Sequence, residues 1–131
     1  MKKVLISLIF VLAATVSFAQ NQANANSSTS PDNNVVYRLF PTQNTWTFIK
    51  LNTRNGQMWQ VQYYINEDNK RFETFLSLTT RVSREEEANG RFFLYPTQNM
   101  YNFILLDQVD GRMWQVQWST KSSERIVIPI E

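Results

Sequence analysis

Leu39–Tyr63 reads LFPTQNTWTFIKLNTRNGQMWQVQY, and Leu94–Trp118 reads LYPTQNMYNFILLDQVDGRMWQVQW. The two stretches align without a gap at an offset of 55 residues, and fourteen of twenty-five positions are identical. A repeat of about this length marks one supersecondary unit used twice. Each copy alternates β-branched and aromatic residues with turn residues, and neither sustains a helical period. In the first copy, Val35–Phe40 ends at Pro41-Thr42-Gln43-Asn44, and Trp46–Thr53 and Met58–Ile65 flank Asn55-Gly56. The second copy repeats that hairpin signal as Asp110-Gly111. Arg71–Leu78 predicts a fourth strand, matched at the C-terminus by Arg125–Ile130, and Arg81–Gly90 is a connector with a solvated Glu85-Glu86-Glu87 run.

The hairpin register follows from its loop. A two-residue loop at Asn55-Gly56 puts Ile49 and Leu51 on one face with Gln60 and Gln62. A three-residue loop, Arg54-Asn55-Gly56, pairs Thr53 with Gln57 and gathers Ile49, Leu51, Trp59 and Val61 instead. A one-residue slip flips every side chain, so segregation of apolar from polar residues favours the three-residue loop. The second copy then gathers Ile104, Leu106, Trp114 and Val116, making Trp59 and Trp114 equivalent core residues. The opposite face, with Phe48, Met58, Gln60 and Gln62, is mixed, and would be covered by another layer or open to a ligand.

Working outward, residues 1–19 read as a secretory signal. Lys2 and Lys3 precede an apolar run, Val4–Val16, too short for a comfortable span, and Ser17-Phe18-Ala19 offers a cleavage site after Ala19. Residues 20–34 form a polar, low-complexity tether, and residues 35–131 a single domain with repeats at 35–80 and 91–131. The product is expected in the periplasm or outside the cell, with no membrane insertion after cleavage. Loss of Lys2 and Lys3 leaves eleven of the thirteen Lys+Arg against eleven Asp+Glu. The pI of 9.0 therefore owes its basic value largely to the signal, and makes no case for a nucleic-acid partner. Arg38, Arg54, Arg91 and Arg112 are scattered singly.

The expected fold class is all-β: two pseudo-symmetric four-stranded antiparallel units packed as a sandwich or small barrel. Blade-like units closing a ring by homo-oligomerisation are the alternative.

The chain has 131 residues with no Cys and no His. That excludes disulfides, Cys or His zinc sites and His-dependent nucleophilic catalysis. Carboxylate catalysis would need Glu67, Asp68, Asp107 or Asp110, and a calcium loop Asp107 and Asp110, but none has an acidic repeat partner, and turn and solvent roles account for them. No catalytic residue, metal or cofactor is assigned. The duplicated Pro-Thr-Gln-Asn turns supply the candidate ligand-binding residues: Gln43, Asn44, Gln98 and Asn99 as amide donors and acceptors, with Trp46 and Tyr101 as stacking faces. Local hydrogen bonding that merely fixes the turns is the competing explanation.

The signal, the tether and the duplicated YPTQN…G-x-M-WQVQ pattern together resemble a group of small secreted proteins of gram-negative bacteria. That resemblance brings no activity and no site residues with it. The functional expectation is a non-catalytic binding module for a carbohydrate or surface polymer. The alternative is a protein-binding inhibitor or immunity-type factor in the periplasm.

Overall fold

A computed structural model describes residues 34–65 and 71–131. The expected signal, all of the tether except Asn34, and Glu67 and Asp68 lie outside these described residues. Among the described residues, eight strands follow the turn punctuation of the sequence. The first unit holds β1 (Tyr37–Pro41), β2 (Thr47–Asn52), β3 (Met58–Gln62) and β4 (Phe72–Ser77). The second holds β5 (Phe92–Pro96), β6 (Asn102–Asp107), β7 (Met113–Gln117) and β8 (Ile126–Ile130). Each unit is an open antiparallel meander, ordered β1-β2-β3-β4 and β5-β6-β7-β8, with no ladder joining them. The architecture is two stacked sheets rather than a closed barrel. Arg84–Glu86 and Ser122–Glu124 form short 3₁₀ turns. Among the described residues no helix is long and apolar enough to cross a membrane.

The hairpin register differs from the three-residue expectation by one residue. Leu51 pairs with Met58, Lys50 with Trp59 and Ile49 with Gln60, leaving a four-residue loop, Thr53–Gly56. The Gly56 N–H donates to the Asn52 carbonyl (3.0 Å) from the left-handed region at φ 81°. Gly111 repeats this at φ 83°, donating to Asp107 at 2.8 Å. Side chains hold both loops. Asn52 Oδ1 accepts from the Arg54 N–H and Asn55 Oδ1 from the Gln57 N–H, while Asp107 and Asp110 accept from Val109 and Arg112.

The extra loop residue is Thr53, which is fully buried. Its N–H donates to the Val36 carbonyl (2.8 Å), its hydroxyl donates to the Val35 carbonyl (2.7 Å) and accepts from the Gly90 N–H (3.0 Å). Its own carbonyl accepts from the Phe92 N–H at 2.8 Å. Thr53 leaves the ladder because it joins the entry to β1, the first hairpin and β5.

The slip inverts β3 relative to β2. The buried face of the first sheet is Phe40, Ile49, Leu51, Met58 and Gln60, with Leu76 from β4. Trp59 and Val61 lie on the other face and are half-buried. In the second sheet the pairing is equivalent, Leu106 with Met113 and Leu105 with Trp114, yet the buried face is the opposite one: Phe92, Leu94, Phe103, Leu105 and Val116. The two sheets stack front to back, so equivalent residues do opposite jobs in the two copies.

Trp59 and Trp114 are therefore not the equivalent core pair that apolar segregation suggested. Trp59 caps the outer surface against Tyr37 (ring centroids 6.2 Å). Trp114 sits half-buried at the rim, with the Arg81 and Arg112 guanidinium carbons each 5.4 Å from its ring centre. The largest buried ring is Trp118, whose indole N–H donates to the Met100 carbonyl at 2.8 Å. Gln60 is the opposite surprise: it is wholly buried, and neither amide atom finds a partner among the described residues. Its counterpart Gln115 donates to Asn102 Oδ1 at 2.8 Å, but Thr47 stands where a matching Asn would be needed.

Trp118→Ala should cost roughly 3–5 kcal/mol, as removal of a buried indole does. Trp59→Ala should cost about 1 kcal/mol, in proportion to the smaller area it covers. Gln60→Met, which keeps the volume and removes the orphaned amide, should raise stability by about 1–2 kcal/mol. Denaturant unfolding measures all three, and equal losses at Trp59 and Trp118 would contradict the four-residue register.

Candidate functional site

The stacking carries both Pro-Thr-Gln-Asn turns to one end of the molecule. Each turn is built by its own polar side chains. Thr42 Oγ1 donates to the Thr47 carbonyl (2.8 Å) and accepts from the Asn44 N–H (3.1 Å), and Asn44 Oδ1 accepts from the Trp46 N–H at 2.9 Å. In the second unit Thr97 Oγ1 donates to the Asn102 carbonyl (2.7 Å) and accepts from the Asn99 N–H (3.2 Å), and Asn99 Oδ1 accepts from the Tyr101 N–H at 3.0 Å. These are local turn motifs in which a hydroxyl and a carboxamide replace ladder partners. Thr and the acceptor end of Asn are thereby committed to the fold. The two glutamines are not: both are exposed. The Gln43 amide reaches the Gln98 carbonyl at 3.5 Å, bridging the two turns.

Between the turns lies a cleft of about 180 Å³ bounded by Pro41, Gln43, Pro96, Asn99 and Met100. A second hollow of about 350 Å³ opens beside Tyr101, Trp118, Ser119, Lys121 and Glu124. A third, of about 280 Å³, runs over Phe103, Ile104, Gln115 and Ile130. All three share Asn99 and Asn102 in their walls, so the hollows adjoin around these two residues in a shallow groove. The rings of Tyr101 and Trp118 line its second hollow. Tyr101 is 46% exposed and rests on Trp118 (5.2 Å between centroids). On the first unit Trp46 packs against Tyr63 (5.3 Å) and Tyr64 (4.8 Å).

Of the six residues singled out in the sequence, Gln43, Asn99 and Tyr101 line the hollows, while Asn44, Trp46 and Gln98 belong to the same turns without being among the lining residues. Asn44 and Asn99 serve first as turn acceptors, while Gln98, Asn99 and Tyr101 stand on the second turn. Sequence reasoning missed Tyr63 and Trp118, although they are repeat equivalents that close each Trp-Gln-Val-Gln strand. Their neighbours on the strand read as core, and that masked them. Lys121 and Glu124, which pair at 3.3 Å on the groove's wall, belong to no repeat and carried no signal.

The carboxylates are arranged otherwise. Asp107 is fully buried and accepts from Arg91 Nε at 3.0 and 3.1 Å, with Arg91 Nη2 at 3.0 Å. Asp110 accepts from Arg112 Nε at 2.7 Å. Glu87, expected in a solvated run, instead reaches Arg54 (3.4 Å) and Asn55 (3.1 Å). Glu86 accepts from both the N–H and the hydroxyl of Ser83, capping the 3₁₀ turn. No group of three or more metal-ligating His, Cys, Asp or Glu occurs among the described residues.

The backbone N–H of Arg112 holds the Asp110 carboxyl below its ordinary value, and the Ser83 hydroxyl does the same for Glu86. A carboxylate depressed in the folded state contributes stability above its unfolded value and loses it as pH falls through the folded one. No protein-family model, curated protein or solved structure matches this chain, so the groove is read on its geometry alone.

Asp107→Asn should destabilise the fold by about 3–5 kcal/mol, because it strands the buried Arg91 guanidinium. Asp110→Asn should flatten the loss of stability on acidification below about pH 4. Unfolding midpoints as a function of pH measure both, and an unchanged acid limb in Asp110→Asn would remove Asp110 from the linkage.

Proposed function

We propose that this chain is an exported, non-catalytic module that binds a neutral glycan or surface polymer along the groove at its turn end. The observation that carries the reading is the convergence of three hollows on Asn99 and Asn102, beside the exposed Tyr101 ring. Three small adjoining hollows suit an extended polymer better than a small molecule, which favours one enclosed pocket of roughly 300–1,000 Å³. Exposed rings such as Tyr101 offer apolar faces for sugar C–H groups, and carboxamides such as Gln98 both donate and accept, as hydroxyl ligands require.

Charge supports a neutral ligand. The chain without residues 1–19 carries equal numbers of acidic and basic side chains. At the groove itself the cation Lys121 is already paired with Glu124, leaving no surplus charge to select a polyanion. Periplasmic or extracellular placement and the absence of catalysis rest on the reading of residues 1–19 and of the side-chain inventory.

Retention on immobilised neutral polysaccharides, compared between wild type, Trp46→Ala, Gln98→Ala and Tyr101→Ala, tests the assignment. Tyr101→Ala should weaken binding roughly tenfold, the loss of one stacking contact of about 1.4 kcal/mol, with its unfolding midpoint nearly unchanged. Binding that survives in Tyr101→Ala and Gln98→Ala alike would move the ligand elsewhere. Absence of retention on every matrix, together with stoichiometric capture of an envelope protein, would replace this reading with the inhibitor or immunity-type one.

A further inference from the structure

Front-to-back stacking leaves two outer faces that are copies of the two buried ones. The outer face of the second sheet presents Ile104, Leu106, Met113 and Gln115. These are identical to Ile49, Leu51, Met58 and Gln60, which the first sheet buries. The outer face of the first sheet presents Leu39, Phe48, Trp59 and Val61. These match Leu94, Phe103, Trp114 and Val116, which pack on the inner face of the second. A single chain uses each pattern once, yet retains both patterns in both copies.

We propose that the occupant of each outer face is a second copy of this chain, docked front to back so that the outer face of its first sheet covers the outer face of the second sheet in its neighbour. The contact repeats, between chains, the sheet-on-sheet packing already made within one. The exposed faces are chemically ready for it. On the second sheet Ile126, Ile128 and Ile130 are 39%, 47% and 42% exposed on the edge strand, continuing the apolar surface across β8. On the first, Leu39 and Phe75 are 54% and 63% exposed. The cation Lys50 there is paired with Glu73 at 2.7 Å and seated 4.8 Å from the Trp59 ring centre, so covering it strands no lone charge.

An unlike-face contact is heterologous: it closes into a ring if the rotation per sheet allows, and otherwise runs on as a filament. Closed rings of four-stranded sheets hold about 4–8 blades, which would take two to four copies of a two-sheet chain. A five-residue, four-stranded face measures about 17 by 19 Å, giving roughly 650 Å² buried per contact, a size typical of weak contacts. Ring closure makes the last contact intramolecular and strengthens the whole. The third hollow borders this face at Ile104, Gln115 and Ile130, but the inference rests on the repeated faces and not on the glycan reading, and the Tyr101 hollow lies off the face.

Sedimentation of the purified chain across a concentration series tests it, with Phe75→Lys blocking the first-sheet face and Ile128→Lys the second-sheet face. Wild type should rise with concentration to about two to four times the single-chain mass, or to filaments. Each variant alone should remain monomeric. Mixed one to one, they should recover a heterodimer through their two intact faces. The exposed positions Leu39 and Tyr95, changed to Lys, repeat the test should either first variant fail to fold by circular dichroism. Wild type that stays monomeric to about 1 mM overturns the proposal. So does a variant that still self-associates alone, since that outcome requires like faces to pair.

Discussion

A sheet has two faces, and a repeat that is used twice must decide whether to bury the same face both times. Burying like faces gives a two-fold sandwich with one polar outside. This chain buries unlike faces, and most of its other features follow from that choice. Both sides of each unit must be able to sit in a core, so neither side can be consistently polar. The mixed faces that look ambiguous in the sequence are the direct consequence. Phe48 and Phe103 illustrate it: the same residue is half-buried on the outer surface of one sheet and 3% exposed inside the other.

The stacking needs a fixed point, and Thr53 supplies it. Four hydrogen bonds at one buried residue tie the chain entering β1, the β2–β3 loop and the start of β5. In the second unit the equivalent residue is Gln108, which is exposed and repeats only the two bonds to its own strand entry, to the Arg91 and Gly90 carbonyls. The difference is expected of unlike stacking, because only the first loop meets a following sheet. The connector then wraps the joint, with the Arg81 guanidinium donating to the Gly56 carbonyl at 2.7 Å. A side chain at Gly56 would press on Arg81 and Phe92 as well as strain the turn, whereas Gly111 has open space.

Strand positions were legible because Pro41, Gly56, Pro96 and Gly111 punctuate the chain where backbone chemistry demands it. Register was not. The argument from apolar segregation assumed one buried and one solvated face, a sound rule for a lone antiparallel layer. Front-to-back packing buries opposite faces in the two copies, so Gln60 could enter the core and Trp59 could leave it. Trp118 was hidden for a related reason: it lies one residue beyond the β7 strand, where periodicity no longer constrains the face. At the turn end the residues themselves were readable, since Thr and Asn in a short polar break have few other uses. Their division of labour was not, because a carboxamide oxygen that accepts from the backbone looks the same in sequence as one aimed at a ligand.

The places where the two copies diverge are best explained by the same asymmetry. Position 107 lies on the inner face of its sheet, paired with Phe92, whereas position 52 lies on the outer side of its own, paired with Tyr37. A charge at the inner position is tolerable only with a partner, and Arg91, where the first copy has Val36, provides one with a bidentate grip. The hydrogen bond that Arg91 donates to Asp107 holds the guanidinium more firmly protonated. Asn52 keeps the turn-capping geometry without the charge, and needs no arginine. The electrostatic clamp therefore appears in the copy where this strand position faces the other sheet, and the neutral amide in the copy where it faces away from it.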